Sequence, residues 1–371
     1  MSFVARLAVL VLTSGLAACG SGGGSDNPAG AANPPTTYTY SMPTSQNDGW
    51  ALGHLSDHGV DMAAIESMVR DFHTGAIPGI DSVAIARNNT LILHSNIRTE
   101  LSDFDAWGGN TRLSRHIMHS TSKSVTSALI GIAIDQGYIA GTDVPFYDLF
   151  RYTSYDNWDD RKSTMTLEDA LTMRFGYQWD EWSLSYGHPD NDLRMLTDNN
   201  IDQSWALLNL AVVDDPGSNF VYNTAGTIAI GQALENAVGV PMEEFAELHL
   251  FQPLQIDDAV WGYTPSGLPN GGSGLYLETR DMVKFGQLFI DDGMWQGQQI
   301  ISAEWVERSV QPYSPLGWTY TSGYGYQWWI DRFTHRGASI EAYSTRGYGG
   351  QYIFCVPSLA LVVAFTGQNY D

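Results

Sequence analysis

Lysine is nearly missing from this 371-residue chain. It occurs three times, at Lys123, Lys162 and Lys284, within 18 basic side chains set against 41 acidic ones and a formal net charge of −23. Phosphate binding needs clustered Lys and Arg, so this balance excludes a nucleic-acid surface. Cysteine is scarce as well: Cys19 and Cys355 are the full set, which excludes a disulfide scaffold. No apolar run reaches the roughly 18 residues of a membrane span. What is present is a 43% hydrophobic content with 12 tryptophans, ample for a large buried core. With so few lysines, the position of each one is informative.

The two ends differ in character. Residues 1–18 carry Arg6, an apolar stretch at 7–12 and then the small residues Gly15, Ala17 and Ala18, the pattern of an export signal. It closes on Leu16-Ala17-Ala18-Cys19-Gly20, which resembles a bacterial lipoprotein box. In that family the cysteine is acylated and becomes the mature N-terminus; an ordinary cleavable signal with a chance cysteine is the alternative. Lipidation at Cys19 implies an exported protein held to a bacterial membrane by its N-terminal lipid alone, facing the periplasm or the cell exterior. Residues 19–45, rich in Gly, Ser and Pro, read as a flexible tether. Cys355, inside Tyr352-Ile353-Phe354-Cys355-Val356, reads as a small core residue.

Helical spacing of Met62, Ile65, Met68, Val69 and Phe72 predicts a helix over 61–73. A hairpin is predicted at 82–93, with Asn88-Asn89 as its turn. Residues 120–138 read as one buried helix, and further helices are expected at 166–173, 225–238, 278–291 and 302–310. Strand signals return at 324–330, 350–356 and 359–365. Strands at both ends with helices between them predict an α/β (α+β) fold: an antiparallel sheet from both chain ends, flanked by helices, with an inserted mainly helical lobe. Residues 46–371 are read as a single two-lobed domain.

Ser120-Thr121-Ser122-Lys123 opens the buried helix. Residues i and i+3 share a helix face, so Ser120 Oγ and Lys123 Nζ can meet. Serine needs an adjacent base, and lysine can serve only when burial and the positive helix end bring its pKa down. The alternative for Lys123 is a surface lysine with its stem along the helix. A second element is Phe220-Val221-Tyr222-Asn223-Thr224-Ala225-Gly226: a phenol between serine and lysine can relay a proton, though alone it reads sooner as a half-buried structural tyrosine. The third is Thr345-Arg346-Gly347-Tyr348-Gly349-Gly350-Gln351, whose glycines let a substrate approach backbone N–H groups, or simply mark a bulge.

In that order, Ser120-x-x-Lys123, Tyr222 and the glycine-rich strand resemble the serine β-lactamase and penicillin-binding-protein superfamily, in particular its class C-related branch of esterases and 6-aminohexanoate-dimer hydrolases. The segments 165–173, 272–276, 280–282 and 324–329 fit that branch too. The resemblance implies a β-lactamase/transpeptidase-like fold and a serine hydrolase acting on a small-molecule ester or amide without a cofactor. It implies Ser120 as acylated nucleophile, Lys123 as its base or electrostatic partner and Tyr222 as proton relay to the leaving group. Tyr348 or Gly350, on a substrate strand that includes Gly349, would complete the oxyanion hole with the Ser120 N–H, and Tyr177 or Trp179, with Asn270, would line the substrate cleft.

Three departures qualify this. Gly347-Tyr348-Gly349 stands where β-lactamases carry Lys-Thr-Gly, which argues against β-lactams as the main substrate. Tyr222-Asn223-Thr224 replaces Tyr-x-Asn. The sequence ends at Tyr370-Asp371, where relatives continue into a helix; a missing helix and a truncated sequence are both open.

Competing chemistry is thin. His116 and His119, or His54 and His58, lack a third ligand for a metal, and no Gly-x-Ser-x-Gly or His-Glu-x-x-His occurs. The acidic clusters read as solvated loops rather than calcium sites. The alternative to a hydrolase is a catalytically silent surface lipoprotein of the same fold that binds peptidoglycan or peptides.

Overall fold

The computed structural model describes residues 37–100, 110–197 and 201–370; the export signal, Cys19 and most of the tether lie outside the described residues. Its frame is a nine-stranded sheet. Three strands, β1 (Ala51–Leu52), β2 (Ile80–Arg87) and β3 (Thr90–Asn96), come from the first part of the chain. Six come from the last part: β4 (Ser314–Pro315), β5 (Thr321–Tyr324), β6 (Trp329–His335), β7 (Ala338–Gly347), β8 (Gln351–Val356) and β9 (Leu361–Gly367). The spatial order is β1-β3-β2-β9-β8-β7-β6-β5-β4, so pairing of β9 with β2 joins the two ends. Neighbours are antiparallel except β1 with β3. The expected hairpin is β2–β3, and both turn residues, Asn88 and Asn89, sit at positive φ (51° and 59°), as the tightest hairpin turns require.

Four helices organise the rest: α1 (Met62–His73), α2 (Ser122–Asp135), α3 (Thr224–Val238) and α4 (Thr279–Ile290). Alternation along the strands sends side chains to opposite faces. Val83, Ile85, Phe354, Val363 and Phe365 join Ile65, Met68, Val69 and Phe72 of α1 in one core. Ala84, Ala86, Ile353, Cys355, Val362 and Ala364 enter the second, with α2, α3 and α4. Small side chains let α4 lie close to the sheet. A Cβ on its Gly286 would fall 2.5 Å from Val362 and 2.8 Å from Ile353, so only glycine fits there. Cys355 is fully buried beneath it, its Sγ 3.6 Å from the Gly286 carbonyl.

Several boundaries differ from the sequence reading. The region 324–330 is a turn between β5 and β6 rather than one strand: the Gly325 N–H donates to the Trp328 carbonyl at 2.8 Å and Gln327 has φ 63°. The helix expected from residue 120 begins at Ser122, after a single 3-10 turn over His119–Thr121. Within the segment read as tether, Tyr40 is buried and donates its hydroxyl to the Ile92 carbonyl at 2.9 Å. The folded part therefore begins before residue 46.

Candidate active site

Every residue of α2 from Ser122 to Ala133 is buried, so its polar side chains must find partners within the protein. Ser124 donates to the Gln327 carbonyl at 2.6 Å and Thr126 to the Gly271 carbonyl at 2.9 Å. Just before the helix, His119 takes φ 45°, a left-handed conformation that stores strain in a side-chain-bearing residue. The half-buried Ser120 follows it, bordering a cavity of about 1600 Å³.

Lys123 reaches back over one turn, and its Nζ lies 3.0 Å from Ser120 Oγ. It also donates to Thr224 Oγ1 at 2.9 Å and to the Gly272 carbonyl at 2.8 Å, and sits 4.9 Å from the centre of the Tyr222 ring. Burial brings its pKa down to about 7, with the Glu181 carboxylate opposing the shift. Tyr222 is buried, and its phenol hydrogen-bonds Ser120. Burial, then Tyr324 and Glu181, push that phenol well above its ordinary range. The structure thus brings Ser120, Lys123 and Tyr222 together.

Behind them stands a residue the sequence reading missed. Glu181 is buried and accepts from the Thr224 N–H at 2.7 Å, the Thr224 hydroxyl at 2.8 Å and the Trp179 indole N–H at 3.0 Å. Burial raises its pKa, while the Lys123 charge works against the rise. In a chain with 41 acidic residues, Asp180-Glu181 looks like any solvated loop, and no local signal marks it. Thr224, noted only as the loss of an amide, links Lys123 to this carboxylate.

The glycine-rich segment lies where expected, beside the Ser120 turn. A Cβ on Gly347 would fall 2.2 Å from the Met118 carbonyl oxygen, so the close approach of β7 to this turn requires glycine. Thr121 pins the junction by donating to the Gln351 carbonyl at 3.0 Å. Tyr348 borders the cavity. The Gly350 N–H donates to the Gly347 carbonyl at 3.2 Å, and the Gly349 carbonyl accepts from Asn369 at 2.8 Å. Arg346 is held by Asp331 and by Thr321 Oγ1, with its guanidinium 5.2 Å from the Trp329 ring centre.

Of the three residues expected to line the cleft, Asn270 does. Tyr177 is corrected: it is core, with its ring 5.4 Å from Phe175 and its hydroxyl 2.8 Å from that of Tyr147. Trp179 is corrected too, being a buried donor to Glu181. Among the described residues, no group of three His, Cys, Asp or Glu side chains could hold a metal ion. His116 instead contacts Asp81 at 3.0 Å, and His119 packs edge-on to the Tyr348 and Tyr370 rings.

Comparison with known proteins bears on the family and the fold. A family model described as Beta-lactamase matches residues 65–369. The 6-aminohexanoate-dimer hydrolase of Paenarthrobacter ureafaciens is 23% identical over 226 residues, which is 58% of this chain and 57% of that protein's length. The chain thus matches little more than half the length of that relative. The fold is shared with the octameric penicillin-binding protein homologue from Pyrococcus abyssi, at TM-score 0.60 and 19% identity, covering 83% of this chain and 74% of that one. It is shared as well with a D-stereospecific amidohydrolase from Streptomyces sp., at TM-score 0.58 and 14% identity, covering 81% and 94%. With 65–369 matched by that family model, the chain belongs to the Beta-lactamase family.

Proposed function

We propose that the protein is a serine hydrolase that cleaves ester or amide bonds of small molecules through an acyl-enzyme on Ser120. The observation that carries this reading is the 3.0 Å contact between Ser120 Oγ and a buried lysine whose pKa is brought down to about 7. Near neutral pH a large share of that amine is unprotonated and able to accept a proton. As Ser120 attacks, its O–H proton moves to the Nζ lone pair and Oγ bonds to the substrate carbonyl carbon. The carbonyl π pair moves onto its oxygen. Collapse expels the leaving group with its bonding pair, and the proton returns from Lys123 by way of Tyr222. Water then repeats the sequence to release the acid.

The Ser120 and Tyr348 N–H groups are proposed as the oxyanion donors. The Gly350 N–H is engaged with Gly347, whereas Tyr348 borders the same cavity as Ser120. The described cavity lining includes three carboxylates, Glu243, Glu244 and Glu247, against one guanidinium, Arg194. Arg346 is already paired with Asp331. Both features favour neutral or cationic substrates over anionic β-lactams. A fluorophosphonate probe is expected to label Ser120, with Ser120→Ala abolishing both labelling and hydrolysis of p-nitrophenyl esters. Full turnover in Ser120→Ala would refute the proposal.

A further inference from the structure

The reaction outlined above leaves the Glu181 carboxylate without a role, although it is only 2% exposed and faces the base across a single hydroxyl. We propose that Glu181, acting through Thr224, is a positioning residue: it aims the Lys123 lone pair at Ser120 and stabilises the ammonium formed when Lys123 takes the serine proton. This rests on Ser120 being the nucleophile.

A hydroxyl carries one proton. That of Thr224 goes to Glu181 Oε1 at 2.8 Å, so toward Lys123, at 2.9 Å, its oxygen can only accept. The Gly272 carbonyl, at 2.8 Å, is also only an acceptor. A neutral amine has two N–H bonds and one lone pair. With both N–H bonds taken, the lone pair is left for the third partner, Ser120 Oγ at 3.0 Å. Without the carboxylate, the Thr224 proton could turn toward Nζ and occupy the lone pair that must receive the serine proton. The carboxylate is itself held by the Thr224 and Trp179 N–H groups, so it stays fixed while Lys123 changes charge. A third group that orients the base and stabilises its cation is the logic of a catalytic triad.

The other ionisable groups around the pair are silent over the working range. Burial pushes Tyr222 and Tyr324 well above their ordinary values, and burial with the nearby His116 and Lys123 brings His119 down to about 3. Lys123, brought down to about 7 by burial, is thus the group whose titration the pH profile near neutrality follows.

The test is kcat/KM for p-nitrophenyl acetate from pH 5 to 10, in the wild type, Glu181→Gln, Thr224→Val and Thr224→Ser. In Glu181→Gln the acid limb is expected to move down by about one pH unit, because a carboxylate that favours the ammonium is gone. The plateau is expected to fall about 100-fold, within the range of an acid–base contribution. Thr224→Val should lose a similar factor, and Thr224→Ser, which keeps the hydroxyl, should retain most activity. An acid limb that does not move in folded Glu181→Gln overturns the proposal whatever its plateau. Should Glu181→Gln fail to fold, equal activity in Thr224→Val and Thr224→Ser overturns it, and loss in Val with retention in Ser supports it. Activity that survives Ser120→Ala refutes the serine-hydrolase reading instead.

Discussion

Two buried lysines of this molecule face carboxylates, and they do so differently. Lys284 on α4 touches Asp281 directly at 2.9 Å and donates to the Gln255 carbonyl at 2.5 Å. Lys123 meets Glu181 only through the Thr224 hydroxyl and keeps Ser120 as its third partner. The third lysine, Lys162, is likewise buried and donates to the Asn157 and Leu208 carbonyls at 2.6 and 2.8 Å. Burial of an amine is therefore common to all three and marks none of them as reactive. What separates Lys123 is a partner that can give up a proton, next to a cavity. A direct ion pair closes its charge on itself, whereas a carboxylate one hydroxyl away leaves the lone pair available.

Replacing each lysine by methionine breaks the comparison most sharply. Lys123→Met is expected to reduce ester hydrolysis by about 1000-fold, with the melting temperature little changed, because Ser120, Thr224 and Glu181 keep other partners. Lys284→Met should do the reverse. It strands the Asp281 carboxylate and should lower stability by about 3–5 kcal/mol, while the fraction that remains folded is labelled by fluorophosphonate at the normal rate. Matching activity and unfolding data for the two variants would check both halves.

A smaller effect sharpens the contrast on the carboxylate side. Burial raises the Asp281 carboxyl to about 6, and Lys284 only partly offsets this. The folded state therefore favours its protonated form. That contribution is complete below the ordinary value of 3.8 and is lost as pH rises through about 6. It amounts to stability on the order of 2–3 kcal/mol. Asp281→Asn should flatten this part of the stability profile between pH 4 and 7, as read from denaturant midpoints. A slope identical to that of the wild type would show that Asp281 is not its source.

Much of this was legible from residues close together in the chain. Asn88-Asn89 between apolar runs gives the β2–β3 turn, and Thr166 with Asp169 forms the reciprocal cap of its helix. Ser120 and Lys123 meet because three residues make about one turn, even though that turn is 3-10 where Ser120 sits. The joining of both chain ends in one sheet also followed from where the strand signals fell. What escaped depends on partners distant in sequence. Glu181 reaches Lys123 only by way of Thr224, 43 residues away in sequence. Tyr177 looks like a cleft aromatic until Tyr147 claims its hydroxyl. The stretch 324–330 has the composition of one strand, yet Gln327 at positive φ folds it back, with its side chain donating to the Leu171 carbonyl at 2.7 Å.

The rate of Ser120 acylation as a function of pH tests most directly whether Lys123 is the base for Ser120. Rapid-mixing measurement of the p-nitrophenol burst should show the rate rising through one ionisation near pH 7, the value to which burial brings Lys123. The burst should disappear in Lys123→Met. A rate that stays flat from pH 5 to 9, or a burst that persists in Lys123→Met, would contradict the account.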